Sequence, residues 1–270
     1  MNNFTFGQFY PADSFVHKMD ARFKIFLSLL YVVFIFFVNS YFGYAVTAAF
    51  ILLVVAASKV SLRVVFKSIK GILILVVFTA FFNLFFVDEG EVILKFWIVD
   101  ITDKAVNFTI MMALRLVLLV LGTSVLTLTT TPTDLTDGLE SLLSPLKTVK
   151  FPVHDVAIIM SIALRFIPTL MDETQRIINA QKARGADFDT GNVFKRAKAM
   201  IPVLVPMFVS AFRRADELAF ALDARCYNAT ENRTKMKKPR VTYRDFAGTF
   251  VTIGYVVVIL LDSYVWSGVF

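Results

Sequence analysis

The sequence predicts an all-α polytopic membrane protein, with about five transmembrane helices and a cytosolic segment of amphipathic helices. Three observations predict it. Hydrophobic residues make up 57% of the 270 and charged residues only 18%, whereas a soluble domain is about 45–50% apolar and about 25% charged. Uncharged stretches of near-spanning length recur along the chain. Between the fourth and the last of them lies one long stretch, 132–245, which collects 18 of the 28 Lys and Arg and 13 of the 21 Asp and Glu.

A spanning helix needs about 20 mostly apolar residues. Ile25–Val38 and Tyr41–Ala57, separated by Asn39-Ser40, read as a tight helical hairpin. Gly71–Val87 is a third span, Ala105–Thr131 a fourth interrupted by Arg115, and Phe246 to the C-terminus a fifth interrupted by Asp262. Twenty-nine Phe residues fit this arrangement, because side chains of that bulk find lipid where a water-soluble surface could not cover them. The first 24 residues are mixed and polar, with no cleavable signal pattern.

Cytoplasmic loops collect Lys and Arg. The segment before the first span carries Lys18, Arg22 and Lys24, and the 58–70 loop carries Lys59, Arg63, Lys67 and Lys70 without an acid. The 88–104 loop instead carries Asp88, Glu89, Glu91, Asp100 and Asp103 against Lys95 and Lys104. The expected topology is a multi-pass plasma-membrane protein with the N-terminus, 58–70 and 132–245 cytosolic, 88–104 outside, and the C-terminus outside by parity. Three regions follow: a membrane domain 1–131, a cytosolic helical segment 132–245, and a final transmembrane helix 246–270.

The 132–245 segment is too long for an ordinary connection and too apolar for a disordered linker. Thr131-Pro132-Thr133-Asp134 offers an N-cap with proline in the first turn. Asp137–Leu146 reads as a short amphipathic helix, and Asp155–Arg184 and Met200–Arg225 as long ones. In the last, Phe208, Phe212, Ala215, Ala219 and Leu222 recur on one helical face. The first halves of both long helices are apolar but short for a crossing. They belong along the membrane surface or against another subunit, a tilted or re-entrant span being the other reading.

Two helix ends share a pattern. Ala183-Arg184-Gly185 closes the first long helix and Ala224-Arg225-Cys226 the second. An Arg in a last turn followed by Gly is also what an ordinary helix cap looks like, so one copy says little. Two copies in one cytosolic unit say more, because Arg is built for forked contact with a carboxylate, and two such ends suit two similar receptor sites.

Ordered motifs carry a further likeness. Thr131-Pro132-Thr133-Asp134-Leu135 with Gly138-Leu139-Glu140 is followed by Leu143-Ser144-Pro145-Leu146 and Arg165-Phe166-Ile167-Pro168. Glu173, then Ala180 through Phe188, then Asp223-Ala224-Arg225-Cys226-Tyr227 complete the series. Together they resemble the transmembrane T component of energy-coupling factor vitamin transporters, a class of ABC importer. The resemblance implies that Ala183, Arg184 and Gly185, and Ala224, Arg225 and Cys226, end two coupling helices that dock on two ABC ATPase subunits. It implies that ATP and Mg are held by those ATPases and no cofactor by this chain. It also implies an apolar surface, with Phe208, Phe212 and Leu222, for an interchangeable substrate-binding S component. Cys226 stands where the family pattern expects Gly, which puts a glycine-type turn there in doubt.

Other function classes lack their residues. A single cysteine, Cys226, and two separated histidines, His17 and His154, make no metal cluster. No phosphate loop, nucleophile elbow or kinase signature is present, so neither enzyme activity nor ATP binding is expected. The net charge of +7 reads as cytoplasmic-loop charge rather than a nucleic-acid footprint. A self-sufficient secondary carrier is the rival reading, but carriers keep ionisable or broken-helix sites at the midplane and often show repeated halves. Here the spans hold essentially one mid-depth charge, Arg115, which must face protein or water because exposing it to lipid costs at least ~2.5–3.5 kcal/mol.

Overall fold

The computed structural model describes residues 9–86, 92–96, 99–145, 152–188, 192–227 and 241–267. Among the described residues the fold is helical apart from one small hairpin. The helices are α1 (Ala21–Phe34), extended by a 3-10 turn at Ile35–Phe37, α2 (Tyr41–Ser58), α3 (Leu62–Phe86) and α4 (Asp103–Thr129). They continue as α5 (Pro132–Leu142), α6 (Val153–Ala183), α7 (Val193–Ala224) and α8 (Tyr243–Ser267). β1 (Val92–Phe96) and β2 (Val99–Thr102) pair antiparallel in the segment expected as an open external loop. Its β-branched and aromatic residues are good strand formers, a signal the charge count had masked.

Two compact units divide the chain: 1–142 with 239–270, and 143–238. In the first, α4 packs against α1, α2 and α3, while α8 closes on α1 and α2. Its core joins Tyr31, Ile35, Tyr44, Ile51, Leu128, Tyr255 and Ile259. The Tyr31 hydroxyl donates to the Leu118 carbonyl at 2.8 Å, so the buried ring brings its polar tip to a partner. α5 packs on α1, with Gly138 set against Ile25 and Ala21. The first compact unit therefore runs eleven residues past the expected boundary at 131/132. α5 begins at Pro132 because Thr131 Oγ1 accepts from the Asp134 N–H at 3.1 Å, an N-cap bond, and donates to the Asp134 carboxylate at 2.6 Å.

Among the described residues, five helices are long and apolar enough to cross a membrane: α2, α3, α4, α6 and α8. The number matches the sequence reading, but its membership differs. α6 qualifies, although its apolar stretch looked too short, because the helix runs unbroken for 31 residues straight through Pro168. The first expected span forms only the 14-residue α1 and its 3-10 turn, short of that length test. α3 starts at Leu62 rather than Gly71. Arg63, Lys67 and Lys70, expected in a loop, ride on its first turns, because Lys and Arg are good helix formers whose long stems reach back to water.

Candidate functional site: two matched helix ends

The second unit is an antiparallel pair. Thr174 Oγ1 of α6 donates to Met207 Sδ of α7 at 3.3 Å, and the Gln181 amide reaches the Pro202 carbonyl at 3.5 Å. Glu173 locks the crossing: one carboxylate oxygen accepts from Ser210 and the other from Arg214 at 2.6 Å. This lock joins a residue quoted for the family likeness to two that were not singled out. Spacing alone could not reveal it, since the partners lie 37 and 41 positions away.

Both helices end in the same way. At α6, the Gly185 N–H bonds the Lys182 carbonyl at 3.0 Å and the Ala186 N–H the Gln181 carbonyl at 2.9 Å. At α7, the Cys226 N–H bonds the Asp223 carbonyl and the Tyr227 N–H the Leu222 carbonyl, both at 2.9 Å. These are two Schellman caps in identical register. Gly185 has φ +88° and Cys226 φ +52°. The doubt raised by Cys226 is thus resolved: cysteine takes the left-handed position and the glycine-type turn forms, against the steric penalty of its Cβ. Arg184 and Arg225 occupy equivalent places one residue before the turn, and both are exposed with their flanking alanines.

Phe208 and Phe212 lie on α7 with 57% and 70% of their surfaces exposed, beside exposed Ile201 and Val205. Val203, Met207, Ser210 and Arg214 lie on the opposite side of the helix, where the α6 contacts are. Leu222 is half-buried and sits at the margin of the apolar face.

In the first unit, Arg115 finds a carbonyl partner. Its Nη2 donates to the Val38 carbonyl at 2.8 Å and lies 3.4 Å from Asn39 Oδ1, with the guanidinium over the Phe36 ring. It therefore caps the broken end of α1 rather than meeting an acid. Ser40, the N-cap of α2, accepts from the Gly43 N–H and donates to Asp262 of α8. A Cβ on Gly43 would come within 2.7 Å of the Asp262 carboxylate and 2.8 Å of Val38, so only glycine admits this contact.

At the other end of α1, Lys24 is buried, where a solvated topology-setting charge was expected. Its Nζ donates to the Thr129 carbonyl at 3.0 Å and the His17 carbonyl at 3.2 Å. Burial pushes its pKa down to about 8, opposed by Asp134, Asp245 and Asp20. Asp245, fully buried, accepts from the Asp20 and Thr242 N–H groups and so joins the starts of α1 and α8. Among the described residues no group of three His, Cys, Asp or Glu could hold a metal.

Among the described residues, helices long enough and apolar enough to cross a membrane recur along the chain, which is the form of a polytopic membrane protein. The model of the CbiQ family, cobalt transport protein, matches residues 12–236. The energy-coupling factor transporter transmembrane protein EcfT of Ruminiclostridium cellulolyticum is 48% identical over 98% of this chain and 99% of its own. The proteins of that name from Clostridium kluyveri and Lactococcus lactis subsp. cremoris are 46% and 39% identical, over 99% and 100% of each chain. The chain belongs to this family and is the transmembrane component of an energy-coupling factor transporter.

Proposed function

We propose that this chain is a non-catalytic scaffold that couples ATP hydrolysis on two ABC ATPase subunits to substrate uptake through a separate S component. One observation carries the reading: two matched caps, each presenting an exposed arginine, stand on opposite arms of one helix crossing. Arg184 and Arg225 lie about 15 Å and about 27 Å along their helices from the Thr174–Met207 contact, at 1.5 Å per residue. Rigid arms of that length transmit ATPase movement as levers. ATP and Mg belong to the ATPases in this scheme, and the exposed face with Phe208 and Phe212 takes the S component. The N-terminus and 132–245 face the cytosol and the C-terminus lies outside, supported by the Lys and Arg distribution.

The test is recovery of the ATPases with the solubilised subunit. Arg184→Ala and Arg225→Ala should each weaken attachment and transport, and the double variant should lose the ATPases almost completely. Removing one partner of a desolvated charge pair costs ~2–5 kcal/mol at an interface. Lys should rescue only in part, because an ammonium lacks the fork. A double variant that elutes normally and keeps both ATPases overturns the docking role.

A further inference from the structure

α3 carries cations and apolar residues on one continuous stripe. Arg63, Lys67 and Lys70 are followed on the same line by Ile74, Val77 and Phe81. At about 100° per residue, all six fall within about 40° of the direction of Arg63. All six are exposed, Ile74 most of all at 80%. The other side of the helix holds buried Val65 and half-buried Ile72, Val76 and Thr79, and α3 packs there on α4. The stripe therefore points straight away from the protein. Its cations are poorly placed for the helix alone. Like charges three and four positions apart repel, and Arg63 lies in the first turn, where the helix field disfavours a cation. That turn has no acid, and 116–129, the half of α4 that returns beside it, has no charged residue. Among the described residues none of the three cations makes a hydrogen bond or ion pair. Setting the topology needs only a surplus of cations and is indifferent to the face they occupy, so their alignment with the apolar stripe has another cause.

We infer that this stripe binds one anionic phospholipid, its phosphate head held by Arg63, Lys67 and Lys70 and an acyl tail laid along Ile74, Val77 and Phe81. The lengths agree. α3 has 25 residues and is about 37 Å long, against about 30 Å of hydrocarbon and about 40–45 Å with both headgroup layers. In a spanning α3 the first two turns lie at headgroup depth, where the stems of Lys and Arg carry their charges to the phosphates. Ile74, Val77 and Phe81 then occupy the next ~10 Å of hydrocarbon. An anionic head supplies the counter-charge the stripe lacks, whereas a zwitterionic head brings a cation of its own. The inference rests on α3 crossing the membrane and is independent of the docking role of Arg184 and Arg225.

The test is native mass spectrometry of the solubilised full chain with phosphatidylglycerol or phosphatidylcholine of identical tails. The wild-type chain should hold its first phosphatidylglycerol at least tenfold more tightly than its first phosphatidylcholine. The triple variant Arg63→Gln, Lys67→Gln, Lys70→Gln should bring the two within twofold. Lys67→Gln alone should lower the preference about fivefold, and it decides the matter if the triple variant fails to fold. Removing three exposed cations elsewhere, in Lys195→Gln, Lys198→Gln, Arg213→Gln, should leave the preference intact. Excess glycerol phosphate, a head without a tail, should not displace the lipid. A wild-type chain without preference, or a preference that survives neutralisation of the stripe, overturns the inference. So does an equal loss in the variant of Lys195, Lys198 and Arg213, which would mean bulk charge, or displacement by glycerol phosphate, which would mean a site for free phosphate. Loss of a protein subunit from the assembled transporter in the stripe variant, with no lipid preference in the wild type, would assign the stripe to an acidic protein surface instead.

Discussion

At the scale of single residues, Cys226 shows how far backbone pattern outranks residue preference. Three cap hydrogen bonds gather on the last turn of α7, and they hold a Cβ-bearing residue in a conformation that costs about 1–2 kcal/mol. Cys226→Gly should relieve that strain and slow amide exchange at Cys226 and Tyr227, whereas Gly185→Val should speed exchange at the end of α6. Faster exchange in Cys226→Gly would mean the turn is held by something other than these bonds. Lys24 makes a second residue-scale prediction. Below pH 8 its ammonium is charged in the folded and unfolded protein alike, and burial weighs fully against the fold. As pH rises through about 8 the folded protein releases the proton, while the unfolded chain keeps it to about 10.5. Stability should therefore rise between pH 8 and 10.5, by about 3 kcal/mol for a shift of that size, and level off above. Thermal unfolding of the solubilised protein should show this rise against Lys24→Met; equal slopes in both would exclude Lys24 as its source. Neither feature was open to sequence reasoning. Lys24 stands in a basic cluster that reads as topology signal, and nothing near it in sequence announces the carbonyls of His17 and Thr129.

At the scale of elements, α7 has work for both sides. One side meets α6 through Glu173, Ser210 and Arg214, and the other leaves Phe208 and Phe212 open. Glu173 and Arg214 are each about two-thirds or more buried, so the pair is worth more than a surface ion pair. Glu173→Ala strands both the guanidinium and a hydroxyl, which should cost about 1–3 kcal/mol. Hydrogen exchange along α6 and α7 should quicken, with the membrane helices unchanged; unaltered exchange would show that apolar packing alone holds the crossing. The long helices were legible because their 3.6-residue periodicity and polar ends agree, and both cap arginines fell where the chain pattern put them. Starts were less legible than stops. α3 and α7 begin nine and seven residues before the sequence reading placed them, since basic and polar residues that look like loop are also good helix formers. The β1–β2 hairpin escaped because its acids spoke of a loop while its β-branched residues spoke of strands.

At the scale of the whole molecule, topology rests on charge and on which helices cross. The scaffold scheme needs α1 to cross despite its length and α6 to remain on the cytosolic side despite its hydropathy. Single cysteines in a Cys226→Ser background, needed because Cys226 is exposed, separate the possibilities. An impermeant reagent applied to intact cells should label Asp103→Cys and not Asn192→Cys. Labelling of Asn192→Cys would carry α6 through the membrane and undo the cytosolic assignment of both helix ends. Composition set the charged 132–245 segment apart from the apolar spans, but the place of α5 was not readable from it. Its family motif put it with the coupling segment, and its packing on α1 puts it with the membrane unit.

The early end of α1, held by Arg115 on the Val38 carbonyl, bears on the lipid around the protein. From Ile25 to Phe37 the helix and its 3-10 turn rise about 21 Å, against a hydrocarbon layer about 30 Å thick. Phe26, Leu29, Val33 and Phe36 are exposed along that short rise, so in the scaffold scheme, where α1 crosses, the lipids beside it would tilt or shorten to keep their tails on apolar surface. A thinned annulus of this kind costs fractions of a kcal/mol per ångström of mismatch, and two proteins that thin the same layer are drawn together by sharing it. With α1 crossing, that side of the subunit would act on its membrane neighbours before touching them, and shorter-chain lipids should weaken that attraction by removing its cause.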